Sequence, residues 1–404
     1  MGRAPAPNHS YGSVSTIRGN TMRLALKASI PYFVAAGSVH FRRMGELTSL
    51  EDPDGSVLAL LELLDGTRDV AAISTELRGR FERLPDSEVR EALADLDQLG
   101  FLQDVTDEGL DFDEASRERW SNNLGFFESY ATLATSKYEF QRRIRNAKVA
   151  VLGLGGVGSH VLLDLIAIGF EDIRIVDFDR VELSNLNRQI LYGEPYLGRP
   201  KVEVAAERAR VLNSRVRIEP VQQRLASADD VYRLVADREI VLALADRPRM
   251  QIGNWLNDGC VRAGAAIVNC GVDVQRAYHF TVLPGISGCL QCWQNAVAGD
   301  PATRMVLEEF QATEQQGRSF GESTAAFNGL VLFGVSYVVA EMVRLASRVT
   351  PPLSIGRELH MTFHDPRLRE VESWKRDPDC TVCRDAVPKA GLEWLASSNG
   401  PLPF

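Results

Sequence analysis

The ten residues VLGLGGVGSH, 151–160, constrain this chain more than any other stretch. An apolar run, KVAVLG, leads into Gly153, Gly155, Gly156 and Gly158, and a helical pattern continues through GGVGSHVLLDLIAIGF. Strand, tight turn and helix in that order make a unit whose glycines let backbone approach a phosphate, with the helix N-terminus aimed at it. The turn alone does not say whether that phosphate belongs to NAD or ATP, or whether the turn is only tight packing.

The same alternation runs on. DIRIVDFD reads as a second strand, RPKVEVAAERARVLN as a helix, and VRIEPVQQ, EIVLALAD and AAIVNCG as further strands. This predicts an α/β fold with a Rossmann-like, doubly wound, mainly parallel sheet. Such sheets bind ligands outside the carboxyl ends of their strands. Asp177 ends the second strand, where an acid binds ribose hydroxyls, and Asp179 is its near neighbour.

The stretch DFDRVELSNLNRQILYGEPYLGRPKVE then separates the two nucleotides, because it places Asn185, Arg188, Gln189 and Lys201 after that strand. NAD needs little positive charge beyond the helix N-terminus. A triphosphate losing pyrophosphate needs more, since negative charge builds on the bridging oxygen and the leaving group. Arg188 and Lys201 suit that task, although an Arg and a Lys in a loop also fit a solvated surface. Asp246, in LALADRPRM, follows a later strand and could hold magnesium, or could be a plain loop acid.

GLGGVGS, VDFDRVELSNLNRQ and GRPKVE together resemble the adenylyltransferases of the ThiF, MoeB and HesA type, which activate sulfur-carrier proteins, in the superfamily of the ubiquitin-activating enzymes. The resemblance covers roughly residues 120–385. It implies ATP at the glycine loop from Gly153 to Gly158, with Asp177 on the ribose. It implies Asn185, Arg188 and Lys201 on the phosphates and Asp246 on Mg2+. It further implies a homodimer and the conversion of a carboxylate and ATP into an acyl-adenylate and pyrophosphate.

The cysteines support this. Cys289-x-x-Cys292 in SGCLQCW is matched by Cys380-x-x-Cys383 in DPDCTVC. Two such knuckles supply four thiolates for a tetrahedral structural zinc, and a closed site of this kind clamps rather than catalyses. His360 and His364 are then surplus. Cys260 and Cys270 read as structural residues at a helix end and a strand end. The polar segment 298–323 contains no cysteine, so capture of the adenylate by an enzyme thiol is not expected.

One departure from the family concerns the arginine that relatives donate to the partner subunit's phosphates. In ERWSNNLGFF, Arg119 holds the first arginine position and Asn122 the second. Arg119 or an arginine of EFQRRIRNAK could substitute.

Ahead of the nucleotide domain, MRLALKASIPYFVAAGSVHFRRM shows short β-rich runs. Two helices are expected around the turn Asp65-Gly66, with Val57, Leu60, Leu61 and Leu64 on one face and Val70, Ile73 and Leu77 on the other helix's face. A third helix is expected from Asp86 or Ser87 as N-cap to a stop at Gly100. Three strands then three helices suggest a winged-helix-like α+β module. LLELLDGTRDVAAIS and LDQLGFLQD resemble the PqqD-like leader-recognition domains of enzymes that modify ribosomally made peptides; a bland winged helix or an inert appendage is the alternative. The expected division is a tail (1–20), this peptide-recognition module (21–105), a helical connector (106–146), the ATP-binding domain with its zinc knuckles (147–390) and a C-terminal tail (391–404).

A net charge of −9 favours neither nucleic acid nor an anionic membrane. No apolar run of transmembrane length and no secretory signal stand out, and six cysteines suit a reducing cytoplasm. The leading expectation is therefore a cytoplasmic enzyme using ATP, Mg2+ and structural Zn2+. It would adenylate a carboxylate or amide on a ribosomal precursor peptide whose leader sits on the N-terminal module. Ring closure or nucleotide attachment would follow, with a companion modifying enzyme as a further partner. The alternatives are adenylation of the C-terminal glycine of a ubiquitin-like sulfur carrier, and a non-catalytic scaffold that delivers a peptide. An NAD oxidoreductase would need a proton-transfer residue on a separate substrate domain, and none is found.

Overall fold

The computed structural model describes residues 22–395 apart from 44, 250, 300, 302–303, 307–308, 310–311, 313–325 and 390. The tail 1–20, most of the polar segment 298–323 and residues 396–404 lie outside the described residues. The chain forms two compact units, one up to Arg142 and one from Arg143 onward.

The first unit holds two three-stranded antiparallel sheets. One is a meander of β2 (Tyr32–Ala35), β3 (Ser38–Arg43) and β4 (Glu46–Glu51). In the other, β1 (Arg23–Leu26) lies between β5 (Asp65–Asp69) and β6 (Leu102–Asp104). The helices are α1 (Ser56–Leu63), α2 (Val70–Arg80) and α3 (Asp86–Gln98). Asp65-Gly66 is thus not a turn between two helices but the start of a strand. Pairing with β1 claims the backbone there, and Gly66 adopts φ +82° against Val105. Helix α3 begins at Asp86 with Pro85 as N-cap, and Gly100 stops it at φ +73°. The core joins Leu24, Phe41, Leu60, Ile73, Leu77, Leu93 and Phe101, and it also takes in Leu133. The segment expected as a connector carries α4 (Glu114–Arg119), α5 (Ser121–Glu128) and α6 (Lys137–Asn146), and most of it belongs to this unit.

The second unit is built on an eight-stranded sheet. Its parallel part is β7 (Lys148–Leu152), β8 (Asp172–Val176), β9 (Arg217–Val221), β10 (Ile240–Ala243) and β11 (Ala266–Val272). Its antiparallel part is β12 (Arg276–Val282), β13 (Arg357–Thr362) and β14 (Arg369–Ser373). The spatial order is β14-β13-β12-β11-β10-β7-β8-β9, so the chain leaves β7 in one direction and returns on its other side as β10. β7 and β10 are therefore neighbours at the topological switch point, where such sheets open a ligand crevice. The helices are α7 (Gly156–Ile168), α8 (Lys201–Leu212), α9 (Ala228–Val235), α10 (Ile252–Ala263), α11 (Leu290–Ala298) and α12 (Asn328–Ser347). Right-handed crossovers put α7 and α8 on one face and α9 and α10 on the other, and α12 packs on α7, β11 and β12.

Helix α12 corrects one expectation. It is 20 residues long, an 18-residue stretch of it has a mean hydropathy of 1.7, and it is long and apolar enough to span a membrane. Half of that stretch is buried inside the fold, and it carries Glu341, whose carboxylate accepts from Leu353 N, Ser354 N, Ser354 Oγ and Arg344. It is apolar because it packs on a sheet.

Candidate functional site

The glycines at the end of β7 are there for different reasons. Gly153 has φ +106°, and a Cβ on it would lie 2.7 Å from Ala245 N, in the strand-end loop of β10. A Cβ on Gly158 would lie 2.0 Å from Gly153 O. Both positions are dictated by the chain's own packing. Gly155 meets nothing within 4 Å, and as N-cap of α7 it leaves the first N–H groups of that helix without a side-chain cap. An open glycine beside uncapped helix N–H groups is the feature that accommodates an anion.

Asp177 stands beside this turn. Its Oδ2 accepts from Leu154 N at 2.7 Å and its Oδ1 from Asp179 N at 2.7 Å. Burial raises its pKa above the ordinary carboxylate range, while Lys201 and these two N–H groups pull it back. Asp179 in turn accepts from Lys201 Nζ at 3.1 Å. Lys201 opens α8 directly after Pro200 and is only 4% exposed. Tyr192 closes the group by donating its hydroxyl to Leu154 O at 3.2 Å.

The other expected residues sit on the loop after β8. Asn185 ends a 3-10 turn, Leu183–Asn185, and its Oδ1 accepts from Glu182 N at 3.1 Å. Arg188 lays its stem over the turn, with Cδ 3.6 Å from where a Gly156 Cβ would be. Its guanidinium bonds back to Ser184 O at 3.1 Å and Asn187 Oδ1 at 2.9 Å. Gln189 is 2% exposed, and its buried Oε1 has no partner among the described residues. Asp246 lies exposed just beyond β10, on the same carboxyl edge, and belongs to no metal-ligating cluster among the described residues.

The four knuckle cysteines meet although two of them are far away in sequence. All four sulfurs lie within 4.8 Å of one another, with Cys289–Cys380 at 3.7 Å, Cys289–Cys292 at 3.9 Å and Cys292–Cys383 at 3.3 Å. Thiolates about 2.3 Å from a tetrahedral zinc would stand about 3.8 Å apart, so the donor set fits that metal. Arg376 braces the second knuckle by donating to Cys383 O and Arg384 O, and to Gly285 O. His360 is turned instead to Glu358 and Arg276. Cys260 and Cys270 are buried, and burial pushes the Cys270 thiol up to about 12.

The structure thus gathers Asp177, Asp179 and Lys201 in one network, joined to the glycine turn through Leu154 N, and sets Arg188 against Gly156 beside it. Arg119 and Asn122 belong to the first unit, on α4 and α5. Sequence reasoning missed Tyr192 and His160. The second had a signal: a lone imidazole inside the apolar run of α7, two residues after the glycine turn.

Residues 128–382 match the model of the ThiF family. The chain is 30% identical over 256 residues to the sulfur carrier protein adenylyltransferase of Thermus thermophilus, covering 61% of this chain and 86% of the relative. It is 30% identical over 248 residues to the adenylyltransferase and sulfurtransferase MOCS3 of Arabidopsis thaliana, but spans only 49% of that protein. Its fold is similar to that of Escherichia coli MccB solved with ATP, with a TM-score of 0.69 and 21% identity, over 90% of this chain and 100% of that one. The sheet, its switch-point turn and a family match over most of the length agree: the chain belongs to the ThiF family.

Proposed function

We propose that this ATP-dependent adenylyltransferase activates a carboxylate, or an amide, of a ribosomally made precursor peptide whose leader is held by the first unit. The reading rests on one observation. The sulfur-carrier relatives match only 61% of this chain, whereas the likeness to MccB extends over 90% of it and so includes most of the first unit. Another structure of that protein, the microcin C7 biosynthetic enzyme, is in complex with N-formylated MccA. A tethered leader raises the local concentration of a weakly bound reactive end.

In the proposed reaction a carboxylate oxygen attacks the α-phosphorus of ATP, the bond to the bridging oxygen breaks, and pyrophosphate leaves. The turn from Gly153 to Gly158 and the N-terminus of α7 receive phosphate oxygens, and Asp177 takes the ribose hydroxyls. Arg188 and Lys201 offset the charge developing on the leaving group, with Asn185 and Gln189 completing the polar lining. Asp246 would hold Mg2+, which when bound neutralises phosphate charge. The four cysteines would hold a structural Zn2+. Ring closure or nucleotide attachment follows on the peptide, and the enzyme works as a homodimer, with a companion modifying enzyme where the pathway needs one. Labelled pyrophosphate exchange into ATP, with magnesium and a short peptide encoded beside this chain, tests the reading. Peptide-dependent exchange supports it, and exchange driven only by a ubiquitin-like protein overturns it.

The second reading, adenylation of a sulfur carrier's C-terminal glycine, is favoured by the identity to the Thermus enzyme. It leaves the first unit without a task. The scaffold reading draws only on Asn122 and leaves the Asp177, Asp179 and Lys201 network without one.

A further inference from the structure

A buried histidine joins the glycine turn to the long helix α12. His160, 4% exposed, follows the turn within the first two turns of α7. Its Nε2 lies 3.1 Å from Arg188 O and 3.0 Å from Asn328 Oδ1. A backbone carbonyl only accepts, so Nε2 carries the proton and donates. Asn328 is the first residue of α12.

A second contact set ties the same three parts. A Cβ on Gly156 would lie 3.5 Å from Val331 Cγ2 and 3.6 Å from Arg188 Cδ. The first turn of α7, the stem and carbonyl of Arg188, and the first turn of α12 are therefore packed as one junction. Within it, the Arg188 backbone is anchored, while its guanidinium is held by two partly exposed bonds that a phosphate can replace.

We propose that His160 is a positioning residue for the nucleotide. Its single Nε2 proton fixes the Arg188 backbone against α7 and ties α12 to the same point, so that a nucleotide engaging Arg188 is felt at the start of α12. The proposal rests on the reading above that Arg188 meets the phosphates. A cation whose backbone is pinned needs little reorganisation when the ligand arrives. Without the donor, a part-buried carbonyl loses its partner and the loop finds another arrangement.

The test uses the full chain, calorimetric titration with ATP and magnesium, and hydrogen exchange at residues 328–331. His160→Leu is expected to weaken ATP about tenfold, the scale of one lost hydrogen bond. His160→Gln, whose amide Nε2 can donate in the same place, is expected to stay within about threefold. ATP is expected to slow exchange at residues 328–331 in the wild type and in His160→Gln, but not in His160→Leu or Asn328→Leu. A merely structural histidine would lower the unfolding temperature without removing this response. Wild-type ATP affinity in a folded His160→Leu chain, or a His160→Gln chain as weak as His160→Leu, overturns the proposal. So does a wild type in which ATP leaves residues 328–331 unprotected. Should His160→Leu fail to fold, His160→Gln and Asn328→Leu decide by the same readout. Arg188→Ala separates the two levels: if it leaves ATP affinity intact, the phosphate reading of Arg188 fails as well.

Discussion

Lys201 Nζ donates to Asp179 Oδ2 at 3.1 Å from a position that is only 4% exposed. A buried ammonium with one carboxylate partner keeps donors free for a second anion, and Asp177 lies within its field. Lys201→Ala is expected to cut ATP–pyrophosphate exchange by about 10²–10³-fold, the scale of one lost donor to developing charge. Arg188→Ala should do the same, with peptide binding intact in both. Unchanged turnover in both variants would remove the site assignment.

The glycines divide into two classes that one substitution each can separate. Gly158→Ala puts a methyl 2.0 Å from Gly153 O and should unfold the chain at markedly lower temperature. Gly155→Ala meets nothing and should leave thermal stability within about 0.5–1 kcal/mol while weakening ATP. If Gly155→Ala binds ATP as the wild type does, the anion does not approach there.

The parallel half of the second unit was legible because buried strands, glycine stops and helix starts repeat the same local logic. Leu152, Val176 and Ala243 end their strands where apolar runs give way to Gly153, Asp177 and the loop towards Asp246. The first unit was less legible because its second sheet is non-local. Nothing near Asp65-Gly66 announces that the chain will pair with β1, some forty residues earlier. At the candidate site the sequence shows the residue types but not the partners they take in the fold. Asn185 caps its own turn, and His160 acts through residues 28 and 168 positions away.

The cysteine cluster predicts one bound zinc per folded chain by metal analysis. Chelation or Cys292→Ser should lower the unfolding temperature by about ten degrees, since a structural zinc contributes several kcal/mol. Cys260 and Cys270 should stay unlabelled by iodoacetamide in the folded holo-protein, being buried with raised pKa values. Labelling of either one before unfolding would contradict their place in the core.

His279 stacks on Tyr337 at 5.5 Å, and burial lowers its pKa from 6.5 to about 4, against the opposing pull of Glu341. Between those two values the unfolded chain binds the proton and the folded chain does not. Stability from this residue is therefore complete above pH 6.5 and is lost as pH falls towards 4. Thermal unfolding from pH 7 to 4 should show a shallower acid limb in His279→Gln than in the wild type. Identical limbs would mean that His279 is protonated without cost.

The leader-binding reading is tested by removing the first unit, and the structure says where to cut. A truncation after residue 105 strips Leu133 of the core it shares with Leu93 and Phe101. A cut at the boundary between Arg142 and Arg143 divides α6. A chain starting at Lys137 keeps α6 whole and removes nearly all of the first unit. It should bind ATP within about threefold of the full chain and lose at least about tenfold in peptide affinity, because the tether's effective concentration is gone. Full peptide affinity in that chain would move recognition to the second unit. It would then favour a small folded carrier over a leader peptide as the acid that is activated.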